Sequence, residues 1–329
     1  MAIETMTIGK AINAGLRKAL EADPKVLLMG EDIGKLGGVF RITDGLQKDF
    51  GEDRVVDSPL AEAGIVGTCV GLAIRGFRPV VEIQFDGFVY PAFDQIVCQV
   101  AKMHYRSRGN VSIPMVIRIP FGGGIGAVEH HSESPEAYFA HTAGLKVFSP
   151  STPSDAYWGI QQAIASDDPI IFFEPKRRYY EKGQVDTSLT VDTAFPLHQA
   201  RVLKEGTDAT LIAYGPTVLT ALSVAKTAAE EGRNLEVVDL RSVSPLDVAT
   251  LAASVRKTGR AIVIHEAPGE VGVGAEVAAR ITEECFYSLE APVLRVTGYD
   301  TPYPAARVEE EYLPDLDRVL DAVDRSFGW

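Results

Sequence analysis

Residues 55–85 read VVDSPLAEAGIVGTCVGLAIRGFRPVVEIQF, and this stretch decides the fold. It predicts a short strand, an apolar helix over 61–76 and a second strand, RPVVEIQF, at 78–85. The same alternation continues, with strands predicted at 25–30, 114–119, 146–151 and 169–175 and helices over 91–107 and 153–166. Such alternation predicts an α/β fold with a parallel sheet covered by helices on both faces.

The chain has 329 residues, which favours two domains. Residues 181–200 are polar, carry no helical stripe and read as a linker. Strands then resume at 209–215, 234–242, 261–268 and 292–298, with helices over 217–231, 246–257 and 274–287. We therefore predict two domains, 1–190 and 191–329.

Composition excludes several classes of protein. A net charge of −13 argues against nucleic-acid binding. The three cysteines form no CxxC pair, so a disulfide framework or zinc site is not expected. No secretory signal is visible, and no apolar run approaches the roughly 18 residues of a membrane span. We expect a cytoplasmic protein without membrane contact.

Glu62 stands in an apolar segment, with no Lys, Arg or His in the next dozen residues. Burying a carboxylate there is costly unless another group pairs with it. One alternative is that Glu62 only caps the start of the helix. The other is that a bound group meets it.

Two further segments are candidates for chemistry. In EIQFDGFVYPAFDQ (82–95), an aromatic just past a strand end could stack on a flat ring, although most aromatics belong to the core. In PFGGGIGAVEHHSESPEAYFAHTAG (120–144), a glycine-rich, flexible loop precedes His130 and His131. A histidine on such a loop suits catalysis, or it is simply a solvated loop residue.

Seven stretches together resemble one family: DSPLAEAGIVG, EIQFDGFVYPAFDQI, HHSESPEAYFAHTAGLKV, PSTPSDA, FFEPK, VVDLRSVSPLD and VTGYDTPYP. They are similar to the β subunit of thiamine-diphosphate-dependent 2-oxo acid dehydrogenases, over residues 4 to 325. The resemblance implies a transketolase-like fold of two doubly wound domains, a pyrimidine-binding domain followed by a C-terminal domain.

The resemblance also implies site residues. Glu62 matches the glutamate that shares a proton with N1′ of the aminopyrimidine, which makes the 4′-nitrogen a base beside the thiazolium C2. Phe88 matches the aromatic that packs on that ring, and Gln84 and Leu60 match pocket-lining positions. His131 matches the histidine that assists acyl transfer to a lipoyl arm. Thr68 departs from the family's apolar position.

A partner subunit is inferred from a family motif that this chain lacks. The family's diphosphate and Mg²⁺ site uses a GDG motif, which is absent here, so an α subunit would supply it in an α2β2 heterotetramer. A structural K⁺ near residues 163–169 is left open, because Ser166 replaces a frequent Asp. The acidic residues of the last stretch, from Glu309 to Asp324, would dock a basic subunit-binding domain of the dihydrolipoyl acyltransferase, unless they are only a solvated face.

Residues 172–180, 264–269 and 298–304 look more like branched-chain members, which predicts a 3-methyl-2-oxobutanoate dehydrogenase. The alternative is the β subunit of an acetyl-transferring pyruvate dehydrogenase. Two other classes of protein are alternatives, a nicotinamide dehydrogenase and a non-enzymatic assembly or electron-transfer subunit. A nicotinamide dehydrogenase needs a dinucleotide-binding fingerprint, which this chain lacks. In a non-enzymatic subunit, Glu62→Gln would leave the activity of the complex intact.

Overall fold

A computed structural model describes residues 3–329 of the chain. It contains two compact units. The first comprises residues 1–121 and 138–197, and the second comprises 122–137 and 198–329. The boundary at residue 190 stays a prediction. No sequence feature indicated that residues 122–137 would group with the second half of the chain.

The first unit holds eight of the strands that the structure describes. They are β1 (Ile3–Thr7), β2 (Val26–Gly30), β3 (Val55–Asp57), β4 (Arg78–Glu82), β5 (Val116–Phe121), β6 (Lys146–Phe148), β7 (Ile170–Pro175) and β8 (Lys182–Asp186). Six of them lie in the order β6-β7-β5-β4-β2-β3, and all neighbouring pairs are parallel.

Helices cover both faces of this sheet, as the sequence predicts. Consecutive residues Val80 and Val81 on β4 are both buried, so both faces of the strand are out of solvent. The helices along this part of the chain are α1 (Ile8–Ala22), α2 (Leu46–Phe50), α3 (Glu62–Ile74), α4 (Met103–Arg106), α5 (Glu136–Ala140) and α6 (Pro153–Ala165).

Helices α1 and α6 pack tightly against each other. The apolar stripe of α1, including Ile8, Ile12 and Leu16, is fully buried in one core cluster with Ile160 of α6. Thr7 caps α1 and Thr152 caps α6, each with a side-chain oxygen that accepts a backbone hydrogen bond.

The single helix predicted over 91–107 is wrong. This region consists of a 3₁₀ segment at Asp86–Ala92, a π-helical segment at Gln95–Val100 and the short α4. The amide of Ala101 bonds the carbonyl of Ile96 at 2.9 Å, five residues back. The backbone of Gly144 approaches the Ala101 carbonyl so closely that it leaves no room for a Cβ atom. Periodicity cannot reveal such a tertiary approach.

The linker predicted over 181–200 is partly structured. Its first residues form β8, which pairs antiparallel with β1 in the register Ile3 to Asp186. Both partners are short and mostly polar. Neither β1 nor β8 shows the apolar alternation that identifies a strand in sequence.

The second unit is a smaller α/β unit. Its strands are β9 (Arg201–Lys204), β10 (Ala209–Ala213), β11 (Leu235–Asp239), β12 (Ser242–Ser244), β13 (Ala261–Pro268) and β14 (Leu294–Gly298). Five of them lie in the order β14-β13-β10-β11-β9, with only β9 antiparallel among these neighbours. Its helices are α7 (Val218–Glu230), α8 (Val248–Thr258), α9 (Val273–Cys285), α10 (Glu309–Tyr312) and α11 (Leu316–Ser326).

Within residues 3–329, no helix combines the length and the apolar character needed to cross a bilayer.

Candidate active site

Three neighbouring strands of the first unit bring their carboxyl ends together. Gly30 of β2 is in register with Asp57 of β3 on one side and with Glu82 of β4 on the other. The residues that follow these strands therefore meet at one edge of the sheet. This edge is where ligands bind in open parallel sheets.

Glu62 lies at this edge, in the first turn of α3. Only 9% of the residue is exposed. Across residues 3–329, no side chain forms a hydrogen bond or ion pair with its carboxylate. A buried carboxylate without an internal partner is costly, and the helix N-terminus offsets only part of that cost.

Glu31 is a second carboxylate at this edge, which sequence reasoning missed. Burial raises the pKa of the Glu31 carboxyl, and the negative charges of Asp32 and Glu62 raise it further. Glu31 follows β2 directly, so its position after a predicted strand was the available signal. Two carboxyl groups that repel each other favour a bound proton or a hydrogen-bond donor between them.

Gln84 and Phe88 follow β4 at the same edge. The Gln84 amide donates to the Glu31 carbonyl oxygen at 3.4 Å. Phe88 is half-buried in the 3₁₀ segment, and its ring lies edge-on to Phe85 with centroids 6.0 Å apart. Leu60, two residues before Glu62, is 67% exposed. The structure thus brings Glu62, Gln84 and Glu31 to one edge, with apolar side chains beside them.

Buried ion pairs link the strands that lead to this edge of the sheet. Arg118 on β5 bonds Glu82 at 2.5 Å and Glu174 at 2.6 Å. Tyr179 donates to Glu174 at 2.6 Å. Burial raises the pKa of Glu82, although the nearby guanidinium opposes the shift. This pairing was not predictable from local sequence patterns, because the partners are 36 and 56 residues apart.

A second buried ion pair joins Lys176, just after β7, to Asp86, just after β4. Both side chains are completely buried. The ammonium also lies 5.7 Å from the centroid of the Phe85 ring. Through Phe85 this pair fixes the start of the segment that carries Phe88.

His131 belongs to the second unit, on the segment 122–137. Its Nδ1 lies 2.9 Å from the carbonyl oxygen of His130. Because a carbonyl can only accept, Nδ1 is the donor in this contact. The His130 ring lies edge-on to it, with centroids 4.4 Å apart.

Carboxylates hold the glycine segment that precedes His131. The amide of Gly123 donates to Glu266 at 3.1 Å, and the amides of Gly124 and Gly126 donate to Glu309 at 3.1 and 2.8 Å. Glu309 is buried. Its predicted place on an exposed acidic docking surface is therefore wrong, because its charge is used inside the unit.

Other members of that acidic stretch also have local partners. Asp315 caps α11 by accepting from the Arg318 amide, and Asp324 pairs with Arg233. Glu310 and Glu311 are exposed. Apart from Glu309, the acidic residues of this stretch are therefore exposed, and some of them also have local partners.

The possible potassium site stays a prediction. Two carbonyl oxygens of the 163–169 turn, on Ile164 and Ser166, accept hydrogen bonds from Arg78 at 3.0 and 2.9 Å. Over residues 3–329, no group of three or more His, Cys, Asp or Glu side chains is placed to hold a metal ion.

Comparison with known proteins agrees with this architecture. The family model of the transketolase pyrimidine-binding domain matches residues 4–182, and that of the transketolase C-terminal domain matches 198–319. A solved structure described as a split-gene transketolase, inactive β4 tetramer, has a TM-score of 0.79 with 24% identity. The match covers 98% of both chains. At that identity the likeness establishes the fold alone.

Curated relatives are much closer in sequence. The pyruvate dehydrogenase E1 component subunit β of Leifsonia xyli is 64% identical over 99% of this chain and 96% of its own. The 3-methyl-2-oxobutanoate dehydrogenase subunit β of Mycobacterium tuberculosis is 56% identical over 98% of this chain and 92% of its own. The names of these relatives include both substrate types.

Proposed function

The chain belongs to the E1 β subunits of 2-oxo acid dehydrogenases, and we propose that it forms one half of a thiamine-diphosphate enzyme. The other half is an α subunit, which holds the Mg²⁺ and completes an α2β2 heterotetramer. The enzyme decarboxylates a 2-oxo acid and passes the acyl group to the lipoyl arm of a dihydrolipoyl acyltransferase. A cytoplasmic location stays a prediction from composition.

The observation that carries this proposal is Glu62, a buried carboxylate with no partner in the described chain. It fits a ring nitrogen that shares a proton with it. When bound, thiamine diphosphate supplies a carbon nucleophile that attacks the 2-oxo group. Glu62 would hold the proton at the aminopyrimidine N1′, beside the Glu31 carboxyl, whose pKa is raised by burial and by the charges of Asp32 and Glu62.

Neighbouring residues would orient the same ring. Phe88 presents an aromatic side chain and Leu60 an exposed aliphatic one. Gln84 is held by its bond to the Glu31 backbone. We assign them to packing against the aminopyrimidine. We assign His131 to acyl transfer, where the protonated ring would stabilise negative charge and donate from Nε2.

The exposed surface of helix α3 is an argument for a partner such as the proposed α subunit. Its thirteen residues, EAGIVGTCVGLAI, include no charged side chain except Glu62. Gly64, Thr68 and Gly71 lie on one face of the helix, and all three are exposed. A helix that is apolar on every side is normally covered. Small residues at this spacing would let a partner helix approach closely.

For the substrate, we propose a branched-chain 2-oxo acid, on the likeness of residues 172–180, 264–269 and 298–304. Phe172 and Tyr179, in the first of these segments, are buried. Pyruvate is the second candidate, because the 64% identical relative is named for it.

The test is to co-express this chain with its α subunit and to measure decarboxylation with thiamine diphosphate and Mg²⁺. 3-Methyl-2-oxobutanoate and pyruvate are assayed separately. Glu62→Gln should lower turnover by about 100-fold or more, since proton transfer in the transition state is worth that much. Glu52→Gln, an exposed matched control, should leave it unchanged.

The outcomes separate the claims. Turnover with pyruvate alone would keep the site and correct the substrate. Full activity of Glu62→Gln would remove the assigned role of Glu62. A well-formed heterotetramer without activity on either acid would refute the proposed function.

A further inference from the structure

The glycine segment 122–126 forms a nest for negative charge. Gly122, Gly124 and Gly126 have φ values of +83°, +82° and +71°, which favour glycine. At Gly123 a Cβ atom would collide with the Tyr303 ring. Successive amides in such a conformation converge on one side and bind anions. In this structure the chain's own carboxylates occupy the nest.

Glu309 is the main occupant. One of its oxygens accepts from Gly126 at 2.8 Å, and the other accepts from Gly124 at 3.1 Å and from the Tyr303 hydroxyl at 2.9 Å. Burial raises the pKa of Tyr303, and its hydrogen bond to Glu309 raises it further, so the hydroxyl stays a donor at neutral pH. Glu266 adds the bond to Gly123.

The nest connects to His131 through the backbone. The amide of Gly122 donates to the carbonyl of Glu133 at 2.9 Å, which closes residues 122–133 into a loop. His131 stands two residues before that closing bond. Beyond it, Tyr214 donates to Glu136, and both side chains are buried. The segment is therefore fixed on both sides of His131.

We propose that Glu309 and Glu266 are positioning residues that hold the 122–133 loop and thereby orient His131 for acyl transfer. This inference rests on the proposed function for its catalytic part only. The glycines adopt the backbone conformation that the nest requires. The segment is therefore fixed by hydrogen bonds, although its sequence suggested a flexible loop. Glu309 then has an internal role in place of the predicted partner docking.

The test compares Glu309→Gln with Glu310→Gln, its exposed neighbour on α10, both in the complex with the α subunit. A glutamine keeps the shape but turns an NH₂ group toward backbone N–H groups. Hydrogen exchange of peptides covering residues 120–131 should be about tenfold faster in Glu309→Gln, because charge-assisted bonds are lost. Glu310→Gln should match the wild type.

Two half-reactions give the functional measurement. Decarboxylation coupled to an artificial electron acceptor should stay within about twofold in Glu309→Gln, because it does not use His131. Acyl transfer to a free lipoyl domain should fall about tenfold, the factor expected for a misplaced acid–base group. A general folding defect would lower both half-reactions together.

An unchanged rate of hydrogen exchange in Glu309→Gln would refute the claim that the nest holds the 122–133 loop. Faster exchange with unchanged transfer, or an equal loss of both half-reactions, would refute the positioning of His131. Should Glu309→Gln not fold, Tyr303→Phe removes only one bond to the same carboxylate and takes the same tests. A wild-type complex inactive on every 2-oxo acid would refute the proposed function, while the exchange data would still decide on the nest.

Discussion

At the scale of single residues, His265 on β13 shows how burial fixes a protonation state. The ring is fully buried. Its Nδ1 donates to the Ala267 carbonyl at 3.1 Å, and its Nε2 accepts from the Gly274 amide at 3.2 Å. Burial lowers its pKa from 6.5 to about 4, with a smaller contribution of the same sign from the charge of Arg295, although the bond to Ala267 opposes the shift. The imidazole is neutral at physiological pH.

This predicts an acid-sensitive contribution to stability. Between pH 6.5 and 4 the unfolded chain takes up a proton at His265 that the folded chain does not. The contribution is therefore complete above pH 6.5 and is lost as the pH falls toward 4, by about 3 kcal/mol in all.

Urea unfolding of the isolated chain at several pH values measures it. His265→Asn should show a weaker loss of unfolding free energy across that window than the wild type. His104→Asn, at an exposed histidine, should follow the wild type. Equal slopes for His265→Asn and the wild type would contradict a depressed pKa.

At the scale of elements, the two helices α1 and α3 use glycine for different reasons. A Cβ atom on Gly15 of α1 would lie 2.8 Å from the Tyr157 carbonyl oxygen of α6, so glycine permits the close contact of these helices. Around Gly71 of α3 no atom lies within 4 Å of such a Cβ. Glycine there contributes nothing to packing within this chain.

The same substitution should therefore have opposite effects in the two helices. Gly71→Ala should raise the unfolding free energy of the isolated chain by about 0.5–1 kcal/mol, through helix propensity. Gly15→Ala should lower it, because overpacking costs about 1–3 kcal/mol against the same gain. Thermal and urea unfolding measure both. A shift of the same sign in both variants would refute the assigned packing.

At the scale of the whole molecule, the exposed face of α3 fits the proposed assembly with an α subunit. An apolar helix whose small residues face solvent fits a subunit whose partner covers them. A stabilising change in the isolated chain would then become a defect in the complex. This places Gly71 in a proposed interface.

Gly71→Leu tests that placement. The leucine has room in the isolated chain, so folding should persist, while assembly with the α subunit should fail or weaken at least about tenfold. Ala229→Leu, at an exposed position of α7, is the matched control. Size-exclusion chromatography with light scattering measures assembly. A normal heterotetramer of Gly71→Leu would place the α subunit elsewhere.

Local patterns carried much of the fold. Buried strands such as β2 and β7 contain continuous apolar runs, and α6 begins with a threonine cap followed by proline, so these elements were predictable. Glu62 was noticeable because a carboxylate contrasts with an apolar sequence. The short strands β9 and β12 and the polar pair β1–β8 carry too little pattern to be recognised.

The sequence by itself determined the parallel α/β architecture and an isolated acid at a strand-to-helix junction, because hydrophobic period and polarity are local properties. Only the tertiary structure decided that Glu31 faces Glu62, that Arg118 lies between two acids, and that Glu309 binds glycine amides 183 and 185 residues away. Such pairs form when distant segments are brought together by folding. Their free energy comes from burial and hydrogen-bond geometry, which residue spacing along the chain does not encode.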